Sequence, residues 1–273
     1  MSGRQKIVKL RAAARQLRLD LLRYVGGKRA YVGGALSSIE IVTALFFDVM
    51  KNAEGELVDD FILSKGHVSP LLHTALVQMG KIPKAEFDNM IETRGWLDEV
   101  YKGTELMGLA RTCQEPGLGL SFAVGTAFAK VLKNDNSHTF CLVGDGECGS
   151  GLLWEAVMHA GAKRAEGVTA IVDFNRLQAS GAVDEVMPLD PLSFKWEAFG
   201  WAIREIDGND MQQVHEALHW ARKYRGQPTV IIAHTIKGKG VSFLENEPSS
   251  HVVTLSKEQV NRARGELLKG ENE

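Results

Sequence analysis

The sequence predicts an α/β fold in which a mostly parallel sheet carries helices on both of its faces. Short apolar runs recur along the chain, and segments with helical periodicity separate them. The runs are continuous instead of alternating, which is typical of parallel strands buried on both sides. With 273 residues and 44% hydrophobic content, the chain is long enough for one large domain of this class. We expect residues 1–255 to form that domain and residues 256–273 to form a peripheral helical tail.

Helix signals dominate the first part of the chain. Residues 4–24 have the pattern of a basic amphipathic helix. Ser37 is followed three residues later by Glu40, which is the spacing of a capping box and predicts a helix start at Ser37. Residues 61–63 form a short apolar run that predicts a buried strand. Residues 69–70, Ser-Pro, predict another helix start, because proline suits the first turn.

Strands and helices alternate more regularly in the second part of the chain. The predicted strands are residues 139–143, 168–173, 201–206 and 229–233. The predicted helices are residues 117–133, 152–164 and 211–224. The first of these helices has so few polar residues that we expect it to be packed on most of its sides.

Composition excludes several classes of protein. A net charge of -2 gives no reason to expect nucleic acid or an acidic membrane as a partner. The three cysteines have no CxxC spacing, which favours reduced thiols over a disulfide framework. The N-terminal segment has basic residues throughout and does not resemble a signal peptide. No window approaches the apolar length of a membrane span. We therefore expect a cytoplasmic protein.

The strongest site signal lies at the ends of two neighbouring predicted strands. Gly144, Asp145 and Gly146 directly follow one strand, and Asn175 follows the next. In a parallel sheet both loops lie at the carboxyl edge, where ligands of open α/β folds bind. A carboxylate and an amide oxygen are hard ligands suited to Mg²⁺ or Ca²⁺. Gly146 leaves room for a diphosphate near the start of the following helix.

The same glycines also fit a different class of site. Gly144, Gly146 and Gly149 spell GxGxxG, and Asp173 ends the next strand where a ribose-binding acid of an NAD-dependent oxidoreductase belongs. Asp145 counts against this alternative. An anion between the first two glycines would repel a pyrophosphate unless a metal ion offset the two negative charges. A tight turn with a solvated aspartate is a third interpretation. The glycines alone leave all three open.

The wider sequence resembles the transketolase family. The segments GDGE…WEA and IVDFNRLQ are similar to its thiamine diphosphate motif. Five further segments match in the family's order: LSSIEIVTALFF, DDFILSKGHVSP, GLGLSFAVGTAFA, DPLSFKWEAFGWAIREIDGND and PTVIIAHTIKGKGVSFLEN. The resemblance extends from about residue 10 to residue 255. It implies a thiamine-diphosphate-binding fold of the diphosphate type, with thiamine diphosphate and Mg²⁺, or Ca²⁺, as cofactors.

The resemblance also implies roles for particular residues. The metal ligands would be Asp145, Asn175 and the backbone carbonyl of Leu177. The cofactor-binding residues would be Gly144, Asp145, Gly146, Glu147, His67, Pro116, Gly117, Leu118, Asn175, Lys237 and His251. The catalytic residues would be His67, near the phosphates, His251, between cofactor and substrate, and Glu155, in a carboxylate network at the subunit interface.

In this family a two-carbon ketol unit passes from a keto donor to an aldehyde acceptor. The acid that assists the aminopyrimidine is a glutamate of a pyrimidine-binding domain, which this sequence does not contain. The resemblance is therefore to the N-terminal subunit of a split transketolase. It implies a separate partner chain of the C-terminal type, two copies of each chain in an α2β2 assembly, and no turnover by this chain alone.

The sequence departs from the family on the substrate side. Tyr31 replaces a histidine of the GHxGGSLS segment, and Trp96 replaces a second histidine. The loop at residues 113–121 has lost family glycine and glutamine positions, and Ser150 replaces an interface carboxylate. The two histidines normally contact sugar hydroxyls, so we expect a donor or acceptor other than a standard pentose phosphate. Acetyl or acyl transfer from pyruvate in a specialised pathway is an alternative, and a non-catalytic relative is another.

Overall fold

The computed structural model describes residues 3–51, 53–94, 105–106 and 110–269, and it confirms the predicted fold class. A seven-stranded sheet lies at the centre, in the order β3-β4-β2-β5-β6-β8-β7. Its strands are β2 (Asp60–Leu63), β3 (Glu105–Leu106), β4 (Ala110–Thr112), β5 (Thr139–Gly144), β6 (Val168–Phe174), β7 (Ala202–Asp207) and β8 (Thr229–His234). All neighbours pair in parallel except the edge strand β3, which is antiparallel to β4. A small antiparallel pair, β1 (Arg29–Ala30) and β9 (Val253–Thr254), lies apart from this sheet.

Helices connect the strands and cover both faces of the sheet. They are α1 (Gly3–Val25), α2 (Gly33–Ser37), α3 (Ile39–Ala44), α4 (Ser69–Gln78), α5 (Lys84–Arg94), α6 (Leu118–Leu132), α7 (Gly151–Ala162), α8 (Val183–Val186), α9 (Leu192–Ala198), α10 (Met211–Lys223) and α11 (Lys257–Lys269). A π-helical turn, Leu45–Val49, continues directly from α3. Across the described ranges, no helix is both long and apolar enough to cross a bilayer.

The sheet divides the core into two apolar clusters. Along β5, Leu142 belongs to the cluster that also contains α1 and α10, whereas Val143 belongs to the cluster on the side of α6 and α7. Successive side chains of a strand point to opposite faces, so each apolar run serves both cores. This explains why the strands appear in the sequence as continuous apolar runs.

The predicted capping box at Ser37 is wrong. The helix begins four residues earlier, at Gly33, and breaks at Ser38 before α3 starts. The hydroxyl of Ser37 donates a hydrogen bond to the buried carboxylate of Asp173 at 2.7 Å instead of capping a helix. Glu40 accepts a hydrogen bond from Arg18 at 2.7 Å. Both side chains therefore form hydrogen bonds with residues distant in the chain, and these contacts override the local capping preference.

The ends of the strands bring the predicted site loops together. The Cα register pairs Gly144 of β5 with Asp173 of β6. Asp145 and Asn175 therefore leave the same edge of the sheet from adjacent strands, as the sequence predicted. A parallel arrangement places this edge at the carboxyl ends of the strands.

A buried histidine makes the fold sensitive to acid. The ring of His138 lies 2.6 Å from Thr169 Oγ1, measured from Nε2. Burial, with the nearby charges of Lys130 and Arg222, lowers the pKa of His138 to about 3. Since an unfolded histidine has a pKa near 6.5, the unfolded state takes up a proton before the folded state does. Stability is therefore lost as the pH falls from about 6.5 towards 3.

We expect His138→Gln to remove this part of the acid sensitivity. Between pH 7 and pH 5 the free energy of unfolding of the wild type should fall by about 2 kcal/mol more than that of the variant. Urea unfolding at the two pH values measures the difference. Equal pH dependence in wild type and His138→Gln would contradict the assignment.

Candidate functional site

A cavity of about 240 Å³ lies at the carboxyl edge of the sheet. Most of the residues that the sequence singled out line it. They are His67, Pro116, Gly144, Asp145, Gly146, Glu147, Asn175, Leu177, Lys237 and His251. The loops after β2, β5 and β6 contribute most of this set, and the segment after β8 adds Lys237 and His251. The structure thus brings together residues up to 184 positions apart.

Asp145 and Asn175 are two polar residues of the cavity lining. Both are buried, and Asp145 Oδ2 accepts a hydrogen bond from the backbone N–H of Arg176 at 2.6 Å. Asn175 Oδ1 accepts from the N–H of Leu177 at 3.1 Å. Burial, followed by the charge of Asp173, raises the pKa of Asp145 to about 7. The carboxylate is therefore short of positive charge, and a cation bound beside it would stabilise its ionised form.

A lysine contacts the third predicted metal ligand. Lys237 Nζ donates to the backbone carbonyl of Leu177 at 2.8 Å and lies 3.2 Å from Nδ1 of His251. Burial and the charge of Lys65 lower the pKa of Lys237 to about 8. In the structure this carbonyl already contacts a positive charge. A carbonyl oxygen has two lone pairs, so a metal ion and Lys237 are not mutually exclusive there.

A buried ion pair lies next to the cavity. Lys65 Nζ contacts the carboxylate of Asp173, and both side chains are almost fully buried. The same carboxylate accepts hydrogen bonds from Ser37, Ser38 and Thr235. Although burial alone would raise the pKa of Asp173, its contacts with Lys65 hold it below the ordinary value. The network fixes the end of β6 against α2 and the loop after β2.

Burial of Asp173 counts against the dinucleotide interpretation. A ribose-binding acid must present its oxygens to the ligand. Asp173 is fully buried and also accepts from Asn175 Nδ2 at 3.1 Å. Its two oxygens are committed to protein donors, so they do not reach a ribose in the cavity.

Glu147 joins three loops around the cavity. Its carboxylate accepts hydrogen bonds from the hydroxyl of Ser64 and from the backbone N–H groups of Gly117, at 2.9 Å, and Gly144, at 2.7 Å. Burial raises the pKa of Glu147, and these donors oppose that effect. Gly117 has a φ of 84°, and a Cβ there would lie 2.7 Å from the backbone nitrogen of Leu153. Glu147 and Gly117 therefore position the loop that begins α6.

Three rings cluster at one side of the cavity. The ring centroid of Tyr31 lies 5.1 Å from that of His67 and 5.3 Å from that of His251. The two imidazoles are 5.5 Å apart. Burial and nearby lysines lower the pKa of His251 to about 4 and that of His67 well below its ordinary value. Both imidazoles are therefore neutral near pH 7, and the positive charge of the cavity comes from its lysines.

Several predicted residues lie outside the lining of this cavity. Glu155 is exposed on α7, Gly117 directly precedes α6, and Leu118 is the first residue of α6. Tyr31 reaches the cavity through its contacts with the two histidines. Trp96 lies outside the described residues. The roles expected of these positions stay predictions.

The sequence reasoning missed six lining residues, which are Gly34, Ser64, Lys65, Gln114, Gln178 and Ala179. Two of them bear on the chemistry of the cavity. Lys65 belongs to the segment SKGH and Gln178 belongs to IVDFNRLQ, so both lay within segments already singled out. The buried Nε2 of Gln178 has no hydrogen-bond partner within the described part of the chain. An unpaired buried donor in a polar cavity is costly unless a ligand accepts from it.

Comparison with known proteins identifies the family. A family model described as transketolase, thiamine diphosphate binding domain, matches residues 7–270. The chain belongs to the transketolase family. Its membership confirms the resemblance read from the motifs, and it counts against the oxidoreductase alternative.

Individual transketolase subunits are similar over most of their length. The chain is 37% identical over 243 residues to the 6-deoxy-6-sulfo-D-fructose transketolase subunit SqwG of Clostridium sp. (strain MSTE9), covering 88% of each chain. It is 34% identical over 244 residues to an apulose-4-phosphate transketolase subunit of Phocaeicola vulgatus, covering 88% of this chain and 86% of that one.

Solved transketolases share the fold. The Campylobacter jejuni enzyme is similar with a TM-score of 0.80 and 25% identity, covering 98% of this chain and 43% of that chain. The Leishmania mexicana enzyme is similar with a TM-score of 0.79 and 23% identity, covering 96% and 41%. This transketolase-family chain therefore spans about two fifths of the length of either structure.

Proposed function

We propose that this chain is the diphosphate-binding subunit of a two-chain transketolase, which transfers a two-carbon ketol unit from a keto donor to an aldehyde acceptor. The observation that carries the proposal is the shared cavity of Asp145, Asn175 and Lys237 at the carboxyl edge of the sheet. The names of the two similar subunits support the activity and its division between two chains.

The residues of the cavity fit thiamine diphosphate and a hard divalent cation. Asp145, Asn175 and the carbonyl of Leu177 supply oxygen donors of the kind that Mg²⁺ or Ca²⁺ prefers. The buried, uncompensated carboxylate of Asp145 favours a cation, and the unpaired Nε2 of Gln178 favours an acceptor such as a phosphate oxygen. The donor set fits Mg²⁺ because magnesium takes few protein ligands and completes its shell with phosphate and water.

The bound cofactor would supply an electron sink for cleavage of the carbon–carbon bond next to the donor carbonyl. This chain contributes binding and orientation. Lys237 would neutralise phosphate charge, and Glu147 holds the loops that form the wall. His251 and His67, both neutral at pH 7, are hydrogen-bonding groups beside Tyr31. Holding two reacting groups in place is a large part of catalysis by itself.

The partner chain is proposed to dock on α6 and α7. Phe122, Val131 and Leu132 of α6 and Met158 of α7 are all exposed, with Leu132 as much as 85% exposed. Exposed apolar side chains at this density are typical of a protein–protein interface. Glu155 lies on α7 three residues before Met158, so the proposed interface carboxylate is on the same helix. An α2β2 assembly with a chain that carries the pyrimidine-binding domain is the arrangement we propose, in the cytoplasm.

Reconstitution tests the proposed function. We expect no ketol transfer by the purified chain at any concentration of thiamine diphosphate and Mg²⁺. Turnover should appear when a partner chain that carries a pyrimidine-binding domain is added, with a stoichiometry of one to one. The measurement is a coupled assay of aldehyde release. Measured ketol transfer by the purified chain alone would contradict the proposal.

The substrate is proposed to be other than a standard pentose phosphate. Tyr31 contributes a ring and a phenol where a family histidine contacts sugar hydroxyls, and it packs against both His67 and His251. The similar subunits are named for a sulfonated deoxysugar and for apulose 4-phosphate. Both names describe transketolases, so ketol transfer is favoured over acyl transfer from pyruvate.

We expect Tyr31→His to shift specificity towards a standard donor. The restored imidazole should raise kcat/KM for xylulose 5-phosphate by roughly fivefold, the scale of one added hydrogen bond. Tyr31→Phe is the matched control, since it keeps the ring and removes only the hydroxyl, and it should bring no such gain. Wild-type rates with xylulose 5-phosphate as high as those of an ordinary transketolase would contradict the substrate proposal.

A further inference from the structure

A second group of metal-ligating side chains lies outside the cavity. Asp48 projects from the π-helical turn Leu45–Val49, and His215 and His219 project from α10. Positions four apart on a helix share one face, so both imidazoles point towards the turn. None of the three residues lines the cavity described above. π-Helical turns occur frequently at functional sites, and this one supplies the carboxylate.

The three ligand atoms converge on one point. Asp48 Oδ2 lies 2.9 Å from Nε2 of His215 and 2.9 Å from Nε2 of His219. The two Nε2 atoms are 3.1 Å apart. Tetrahedral coordination with bonds of about 2.0–2.1 Å separates ligand atoms by about 3.3–3.4 Å. The triangle therefore needs to widen by only a few tenths of an ångström to hold an ion above it.

Hydrogen bonds alone do not satisfy all three of these ligand atoms. If both imidazoles donate from Nε2 to Asp48, two N–H groups face each other across the short nitrogen–nitrogen contact. If only one donates, the lone pair of the other Nε2 faces the carboxylate oxygen. A carboxylate oxygen thus lies 2.9 Å from each of two ring nitrogens whose lone pairs can bind a metal ion.

We infer that Asp48, His215 and His219 bind a borderline transition-metal ion, Zn²⁺ foremost, at a second metal site. Two imidazoles and one carboxylate form the ligand set that zinc takes when one position stays open. Imidazole nitrogen also favours Zn²⁺, Co²⁺ or Ni²⁺ over Mg²⁺. Lys6 Nζ contacts the other carboxylate oxygen, Asp48 Oδ1, at 2.7 Å.

The surroundings allow an ion to enter. The side chains of Asp48 and His215 are 16% and 17% exposed, and that of His219 is 34% exposed. The open coordination position therefore has access to water. Because the ligands come from the π-helical turn and from α10, the ion would join two elements that pack against each other beside α1. We expect Zn²⁺ to raise the thermal unfolding midpoint of the whole chain.

Cobalt titration tests the inference with the full chain. The protein is stripped with a chelator, saturated with Mg²⁺ to fill the oxygen-donor site, and titrated with Co²⁺. We expect one equivalent to give the visible absorption of four-coordinate Co²⁺, and Zn²⁺ to displace it. His215→Gln, His219→Gln and Asp48→Asn should each weaken Co²⁺ binding by more than the roughly 10–100-fold that loss of an outer-shell partner costs.

His234→Gln is the matched control, because His234 also pairs with a carboxylate, Glu205, at 2.9 Å. It should bind Co²⁺ like the wild type. X-ray absorption of the zinc-loaded wild type supplies a readout that needs no variant, and it should show nitrogen and oxygen neighbours without sulfur. Absence of Co²⁺ binding by the wild type, binding retained in both His215→Gln and His219→Gln, or sulfur in the zinc shell would each overturn the inference.

Discussion

Asp145→Asn is expected to abolish thiamine diphosphate binding by the reconstituted enzyme and, with it, turnover. The substitution removes the one anionic metal ligand proposed in the cavity while it keeps the size of the side chain. Loss of that ligand should weaken metal-dependent cofactor binding by more than about 100-fold, above the range for an outer-shell change. Isothermal calorimetry with thiamine diphosphate and Mg²⁺ measures the effect.

The same variant should fold normally. Burial and Asp173 raise the pKa of Asp145, so its ionised form is disfavoured in the folded state without a cation. We expect the cofactor-free variant to unfold at a temperature at least as high as the wild type above pH 7. Asp184→Asn, at an exposed position, is the matched control and should retain binding. Unchanged calorimetry in Asp145→Asn would remove Asp145 from the proposed metal site.

Lys65→Met is expected to cause the largest loss of stability. Lys65 and Asp173 form an ion pair with side chains 2% and 0% exposed, and Met leaves the carboxylate buried without its main counter-charge. Removing one partner of such a pair costs about 3–5 kcal/mol. Urea unfolding measures the effect, and the reciprocal variant Asp173→Asn should also be destabilised.

An exposed lysine–glutamate ion pair provides the comparison for the loss of stability. Lys81 contacts Glu56 at 3.2 Å, with side chains 34% and 67% exposed, and Lys81→Met should cost no more than about 1 kcal/mol. A double variant of Lys65→Met and Asp173→Asn should lose less than the sum of the two single losses, because the two groups act as one unit. Strict additivity would show that the buried contact does not couple them.

The strands and the site loops were predictable because their signals are local. An apolar run such as residues 168–173 predicts a buried strand whatever the rest of the fold does. Asp145 and Asn175 directly follow such runs, so parallel pairing alone brings their loops to one edge. The predicted boundaries of β5 and β6 differ from the observed ones by one residue.

The contacts that support the site were not predictable, since they join residues distant in the chain. The partners Lys65 and Asp173 are 108 positions apart, and no pattern in the sequence relates them. Ser37 and Glu40 have the spacing of a capping box, but the hydroxyl of Ser37 donates a hydrogen bond to the buried carboxylate of Asp173 instead. The spacing of His215 and His219 marks one helix face, whereas the approach of Asp48 depends on how that helix packs.

The central claim is that Asp145 and Asn175 bind one divalent cation. A crystal structure of the reconstituted enzyme with thiamine diphosphate and Mn²⁺ tests it most directly. Anomalous scattering from Mn²⁺ locates an ion of the same hard, oxygen-binding class as Mg²⁺. We predict a peak in the cavity at a position where Asp145, Asn175 and the carbonyl of Leu177 would coordinate it. An ion elsewhere in the cavity, with the side chains of Asp145 and Asn175 turned away from it, would contradict the account.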